Sequence, residues 1–182
     1  NLIPRFYDVS EGEVLVDGIN VKEYPLETLR EKIGVVPQKA VLFKGTIREN
    51  MKWGKEAATD EEIWEALEIS QAKEFVEKKE KGLDTMISQG GKNLSGGQRQ
   101  RLTIARALVK KPEILIMDDS ASALDFATDA KLRLAIGAMK ERLTVFIVSQ
   151  RAASIQYADQ IVVLDDGHVA GIGTHETLLA DC

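Results

Sequence analysis

Cysteine is almost absent from this chain: of 182 residues only Cys182, the last, carries a thiol. One thiol cannot close an internal disulfide, so the fold rests on packing, and the composition fits a reducing compartment. Long apolar runs are missing too. None approaches the ~20 residues that span a bilayer, and no signal-peptide pattern opens the chain. A basic excess is lacking: 24 Lys and Arg stand against 29 Asp and Glu, for a net charge of −5. Without a basic stripe there is nothing to track a nucleic-acid backbone, and nucleic acid is excluded as an expected partner. Internal repeats and low-complexity segments are absent as well.

What is present is enough for one sizeable α/β domain, since 44% of the residues are apolar and 29% charged. The opening residues 1–7 carry no initiator methionine and read as the tail of an apolar helix broken near Pro4, with residues expected upstream. Residues 13–16 and 33–36 are short β-branched runs bounded by turn residues. Thr59 precedes an acidic first turn and then Ile63, Trp64 and Leu67, so a helix starts there, and the charged stretch 73–81 reads as a solvated helical face. The second half alternates. Strands are expected over 114–117 and 144–148, helices over 125–140 and 152–158, then strands over 160–164 and 168–172 around Asp166-Gly167, and a last helix over 175–179. Strand-helix alternation of this kind predicts a mainly parallel, doubly covered sheet.

Two segments carry chemistry. In Leu94-Ser95-Gly96-Gly97-Gln98, a serine and two glycines open a helical pattern continued by Leu102, Ala105, Leu108 and Val109. Ser95 can cap that helix while bare N–H groups and the positive dipole end face outward, a site for phosphate that glycine keeps open to close approach. In Ile114-Leu115-Ile116-Met117-Asp118-Asp119, four apolar residues run into two carboxylates, which puts both at the C-terminal end of a buried strand, where open α/β sheets bind ligands. One carboxylate there can hold Mg²⁺ through its waters while the other orients or deprotonates an attacking water.

Together these segments identify the chain as similar to the nucleotide-binding domain of ATP-binding-cassette (ABC) transporters, from about Ile3 to Leu179. Leu94 to Gln98 resembles the family's signature motif and Ile114 to Asp118 its Walker B strand. Ser122-Ala123-Leu124-Asp125 resembles the D-loop, and Gln38 after Val35-Val36-Pro37 the Q-loop glutamine. Residues 158–164 with Gly167 and 173–176 match the C-terminal strands, and Leu42 to Asn50 resembles the segment that exporters place after the Q-loop. The resemblance implies a P-loop NTPase-like, three-layer α/β fold with a mainly parallel central sheet. Residues 1–37 and 112–182 would form the catalytic core, and 38–111 the Q-loop and a helical signature subdomain. It implies ATP and Mg²⁺ as ligands, with Gln38 and Asp118 holding the metal largely through water. It also implies a head-to-tail pairing with a second nucleotide-binding domain, in which Ser95, Gly96 and Gly97 touch the γ-phosphate held by the partner and Asp125 stabilises the facing subunit. The transmembrane domains of an exporter would be the other partner, at the cytoplasmic face of the membrane, with the 88–93 loop lying near them.

Three departures from the family pattern shape the expected activity. The phosphate-cradling sequence G-x-x-x-x-G-K-[ST] occurs nowhere in the chain. In the family it would end just before Asn1, so this chain by itself is expected neither to bind ATP tightly nor to hydrolyse it, and its sheet to expose an unpaired edge. Asp119 stands where active members carry glutamate, withdrawing the carboxylate by ~1.5 Å, and a misplacement of about 1 Å can cost on the order of a hundredfold in rate. Gln150 stands at the histidine switch position and can donate a hydrogen bond but carry no charge. With Gln89 where homodimeric exporters have glutamate, the pattern resembles the degenerate half of a heterodimeric exporter. Chromosome-maintenance ATPases share the signature helix but carry a long coiled coil between it and the Q-loop, and no heptads separate Gln38 from Leu94 here. A non-catalytic module that binds nucleotide or a partner domain is the alternative reading.

Overall fold

The computed structural model describes residues 1–120, 122–139 and 143–181. Its elements run β1 (Leu15–Val16), β2 (Ile19–Asn20), α1 (Leu26–Glu31), β3 (Ile33–Val36), β4 (Gly45–Thr46), α2 (Ile47–Lys52), α3 (Asp60–Ile69), α4 (Lys73–Glu77), β5 (Met86–Ile87), α5 (Gly96–Leu108), β6 (Ile114–Asp118), α6 (Phe126–Gly137), β7 (Thr144–Val148), α7 (Ala152–Ile155), β8 (Ile161–Asp165), β9 (His168–Gly173) and α8 (His175–Asp181). Three of the strands form a parallel sheet in the order β3-β6-β7, with Val36 opposite Met117 and Asp118 opposite Val148. This mixed α/β architecture with a parallel sheet is the expected class.

Alternation along the strands sorts the core into two layers. Val36, Leu115 and Met117 face a large cluster built on Ile47, Met51, Ile63, Leu67, Leu102 and Ile104. Ile33, Val35, Ile114 and Ile116 face a smaller one that includes Val16, Val21 and Leu29. α5 is held against β3 so closely that a Cβ on Gly34 would lie 2.9 Å from the carbonyl oxygen of Ala107.

Capping residues set the helix starts. Thr46, Thr59 and Ser95 each accept a hydrogen bond from the backbone N–H of the third helical residue, and the side chains of Glu49, Glu62 and Gln98 accept one from the cap's own N–H. Residues 1–6 close as a helix C-terminus does: Phe6 N donates to Asn1 O and Arg5 N to Leu2 O, with Arg5 left-handed at φ 51°.

Differences from the sequence reading are local. α7 ends at Ile155 rather than 158, because Ala158 N bonds back to Ile155 O and closes a turn. The first strand is two residues long, and α4 stops at Glu77 within the charged stretch. The middle block is less solvated than its charge implied, since Ile63, Leu67, Ala72 and Val76 are buried under the charged face. Lys140, where the sequence reading ended α6, lies outside the described residues, as does Cys182.

β7 is the end of the sheet. Among the described residues it pairs only with β6, and Phe146, Ile147 and Val148 are exposed. A parallel strand is normally covered on both faces, so this edge is unusual. The β8–β9 hairpin is a separate two-stranded unit against which α8 packs.

Candidate functional site

The signature turn is built by the capping box of α5. Ser95 Oγ accepts from Gln98 N at 3.2 Å, and Gln98 Oε1 accepts from Ser95 N at 3.1 Å. Leu94 is buried and anchors the turn, while Ser95 and Gly96 are exposed. The N–H groups of Gly96 and Gly97 lie in the first helical turn and have no intrahelical partner. No acidic residue occupies that turn, so its dipole and free donors favour an anion. Gly97 abuts the loop before α6, where a Cβ would sit 3.3 Å from Ala123 O.

That loop ends on Asp125, the N-cap of α6. Its Oδ1 accepts from Thr128 N at 2.9 Å and its Oδ2 from Thr128 Oγ1 at 2.7 Å. The backbone bond from Thr128, then the hydroxyl, hold the carboxyl below the usual aspartate range. In this chain the carboxylate is therefore engaged by its own helix.

A second cluster gathers at the C-terminal ends of the parallel strands. Asp118 ends β6 and is exposed; Asp119 follows in the left-handed region at φ 43°, its N–H bonded to Val148 O at 2.8 Å. Gln38, two residues past β3, donates from Nε2 to Asp119 Oδ2 at 3.3 Å. Gln150, two residues past β7, is exposed and makes no side-chain hydrogen bond among the described residues. Strand register thus brings Gln38, Asp118, Asp119 and Gln150 to the same edge of the sheet. No hydrogen bond joins this edge to the signature turn among the described residues; the 122–125 loop follows Asp119 in sequence and reaches Gly97 through Ala123 O, with Arg151 donating to Ser122 O at 3.4 Å.

A magnesium ion fits this edge only with help. Among the described residues no three His, Cys, Asp or Glu side chains come together as a metal cage. The exposed Asp118 carboxylate and the Gln38 amide oxygen are hard donors but too few by themselves, the pattern of Mg²⁺ that keeps its waters and takes the remaining ligands from a bound phosphate.

Two features went unread in the sequence. Phe43 and Trp53 stack with ring centroids 4.8 Å apart, and the Arg106 guanidinium lies 5.6 Å over Phe43 while donating to Val41 O at 2.9 Å. Trp53 is 69% exposed, which is costly for so large a ring unless something covers it. An aromatic residue in an otherwise charged segment was the available signal. The other feature is a pair of arginines, Arg99 and Arg101, folded over the signature turn. Arg99 Nη1 donates to Leu94 O at 2.7 Å.

Known proteins resemble this chain in sequence and in fold. The family described as ABC transporter matches residues 1–122. The chain belongs to the ABC transporter family. An uncharacterized ABC transporter ATP-binding protein of Mycobacterium bovis is 49% identical over 185 residues, covering 100% of this chain and 31% of that protein. A Staphylococcus aureus protein whose name proposes a multidrug export ATP-binding/permease role is 43% identical, covering 99% of this chain and 31% of its own length. Among solved structures, a bacterial Atm1-family ABC exporter with ATP bound superposes with a TM-score of 0.94 at 36% identity, over 98% of this chain and 31% of that one. This ABC domain therefore spans about a third of the length of these relatives. Its fold is that of the ABC ATPases, P-loop NTPase-like, and domains of this family are in general ATPases. No helix among the described residues is long and apolar enough to cross a membrane.

Proposed function

We propose that this ABC domain is a motor domain of an exporter, powering transport by Mg-dependent ATP binding and hydrolysis at a head-to-tail domain pair, and that it is the degenerate member of that pair. The observation that carries the reading is the Ser95-capped start of α5, where the bare N–H groups of Gly96 and Gly97 face outward with no acidic neighbour. Such a turn stabilises the charge that develops on a transferring phosphoryl group. Gln38 and Asp118 would hold Mg²⁺, which neutralises phosphate charge when bound. Asp119 and Gln150 stand where the water and the γ-phosphate would be handled, and each is the weaker form of its position: a shortened carboxylate held by Gln38, and an amide without charge.

The relatives in export systems support a membrane-spanning partner at the cytoplasmic face of the membrane, and the exposed Phe43–Trp53 pair is the surface we assign to it. The alternative, a regulatory module without turnover, draws on the same two weakened positions.

Ser95→Arg in the full exporter subunit, assembled with its partner, tests the reading. Steady-state ATP turnover is expected to fall by on the order of a hundredfold or more, because the guanidinium would occupy the phosphate position. Unchanged turnover would refute service of the partner's site.

A further inference from the structure

The proposed reading assigns Ser95, Gly96 and Gly97 to phosphate, but leaves open what fixes their turn relative to the rest of the helical subdomain. Past the end of α3 the chain turns at Gln71, a non-glycine residue in the left-handed region at φ 62°, with Ala72 N bonded to Leu67 O and Gln71 N to Glu68 O. That closure commits the Gln71 carbonyl to a single direction, and Arg101 Nη1 donates to it at 2.7 Å. The same guanidinium donates from Nε to Gly97 O at 3.3 Å and lies 4.9 Å from the centroid of the Phe75 ring. One planar fork therefore ties the turn that closes α3, the start of α4 and the first turn of α5.

Its surroundings are polar on the far side. Arg101 and Asp125 act on each other electrostatically, Glu74 adds a second carboxylate, and burial of the guanidinium opposes its charge. A partly desolvated cation held by two carbonyls and a ring costs more to misplace than a surface arginine does. Arg99, two residues earlier, grips Leu94 O and Gly91 O, so the signature turn is held from both sides.

We propose that Arg101 is a positioning residue for the signature turn, locking the Gly97 carbonyl to the left-handed Gln71 turn so that the Gly96 and Gly97 N–H groups keep their aim on phosphate. It touches no reacting atom and acts through the backbone of Gly97. This rests on the reading of α5 as a phosphate-binding helix start. A lysine retains the stem and charge but has one compact head, which cannot hold two carbonyls in the fixed geometry of the fork.

The test uses the full subunit assembled with its partner, comparing Arg101→Lys and Arg101→Gln with the parent and with Ser95→Arg. The expected result is a rise of about fivefold or more in the KM for ATP, with kcat changed less, since loosening a phosphate contact acts first on binding. An unchanged KM overturns the inference, whether or not thermal stability falls. Loss of activity in Ser95→Arg alongside unchanged KM in both Arg101 variants sinks this inference alone; unchanged activity in Ser95→Arg sinks the phosphate reading beneath it. Hydrogen exchange on the unsubstituted complex is a second check. ATP should raise protection over 69–75 together with 95–99, and protection confined to 95–99 would contradict the link.

Discussion

The Gln38 amide reaches across from β3 to the Asp119 carboxylate past the end of β6, Nε2 to Oδ2 at 3.3 Å, while Asp119 holds a left-handed backbone at φ 43°. Aspartate tolerates that conformation better than longer side chains, because its short carboxylate bonds locally. The backbone at this position and an aspartate side chain are thus compatible with each other, and Gln38 occupies one oxygen of the carboxylate.

Asp119→Glu in the full assembly should raise ATP turnover at this domain's own site by at least about tenfold, since the carboxylate regains roughly the reach it lacks. Single-turnover kinetics, with the partner's own base removed, isolates that site. No gain would mean that Gln150 or another group limits the chemistry instead.

The cap of α5 has a separate cost. Ser95→Ala removes the acceptor for Gln98 N and should destabilise the domain by about 1 kcal/mol, in the range typical of lost N-caps. Urea unfolding gives the number, and a loss near zero would show the turn to be held without its cap.

Asp125 predicts a pH dependence. Its folded pKa is depressed, so its stabilising contribution is present above the unfolded value of about 3.9 and is lost as pH falls through the folded one. The stability gap between the parent and Asp125→Ala should be open at pH 7 and shrink steadily below about pH 4. A gap that stays constant to acid would exclude the Thr128-bonded carboxylate as its source.

The exposed edge of β7 predicts self-association of the 182-residue chain when handled alone. Sedimentation should show concentration-dependent growth that Phe146→Lys suppresses, because a charge on an edge strand opposes pairing. Titration of the same chain with Mg-ATP should show no saturable binding in the micromolar range, as the P-loop sequence is missing from it.

Much of the site was legible because its signals are local. The Ser95 cap, Thr59 with Glu62, and the apolar run ending in Asp118 and Asp119 each fix a short stretch of backbone by capping or alternation, and each was found where the sequence placed it. The two-residue strands β4 and β5 were not legible. Gly45 and Thr46 pair with Ile87 and Met86 across forty residues, and nothing local marks so short a pairing. Arg101 was hidden for the same reason: its partner, the Gln71 carbonyl, is thirty residues away and belongs to the backbone, which has no sequence signal.

The sequence by itself determined the starts of α3, α5 and α6, the parallel class of the sheet and the chemical types gathered for phosphate and metal, since caps and period-two alternation act over three or four residues. Only the tertiary structure decided that Gln38 bonds Asp119, that Asp125 turns inward to its own helix, that Trp53 stays uncovered beside Phe43, and that Arg101 bridges Gly97 and Gln71. Those outcomes depend on strand register, backbone handedness at single residues and the approach of distant segments, and none of these is set by neighbours in the chain.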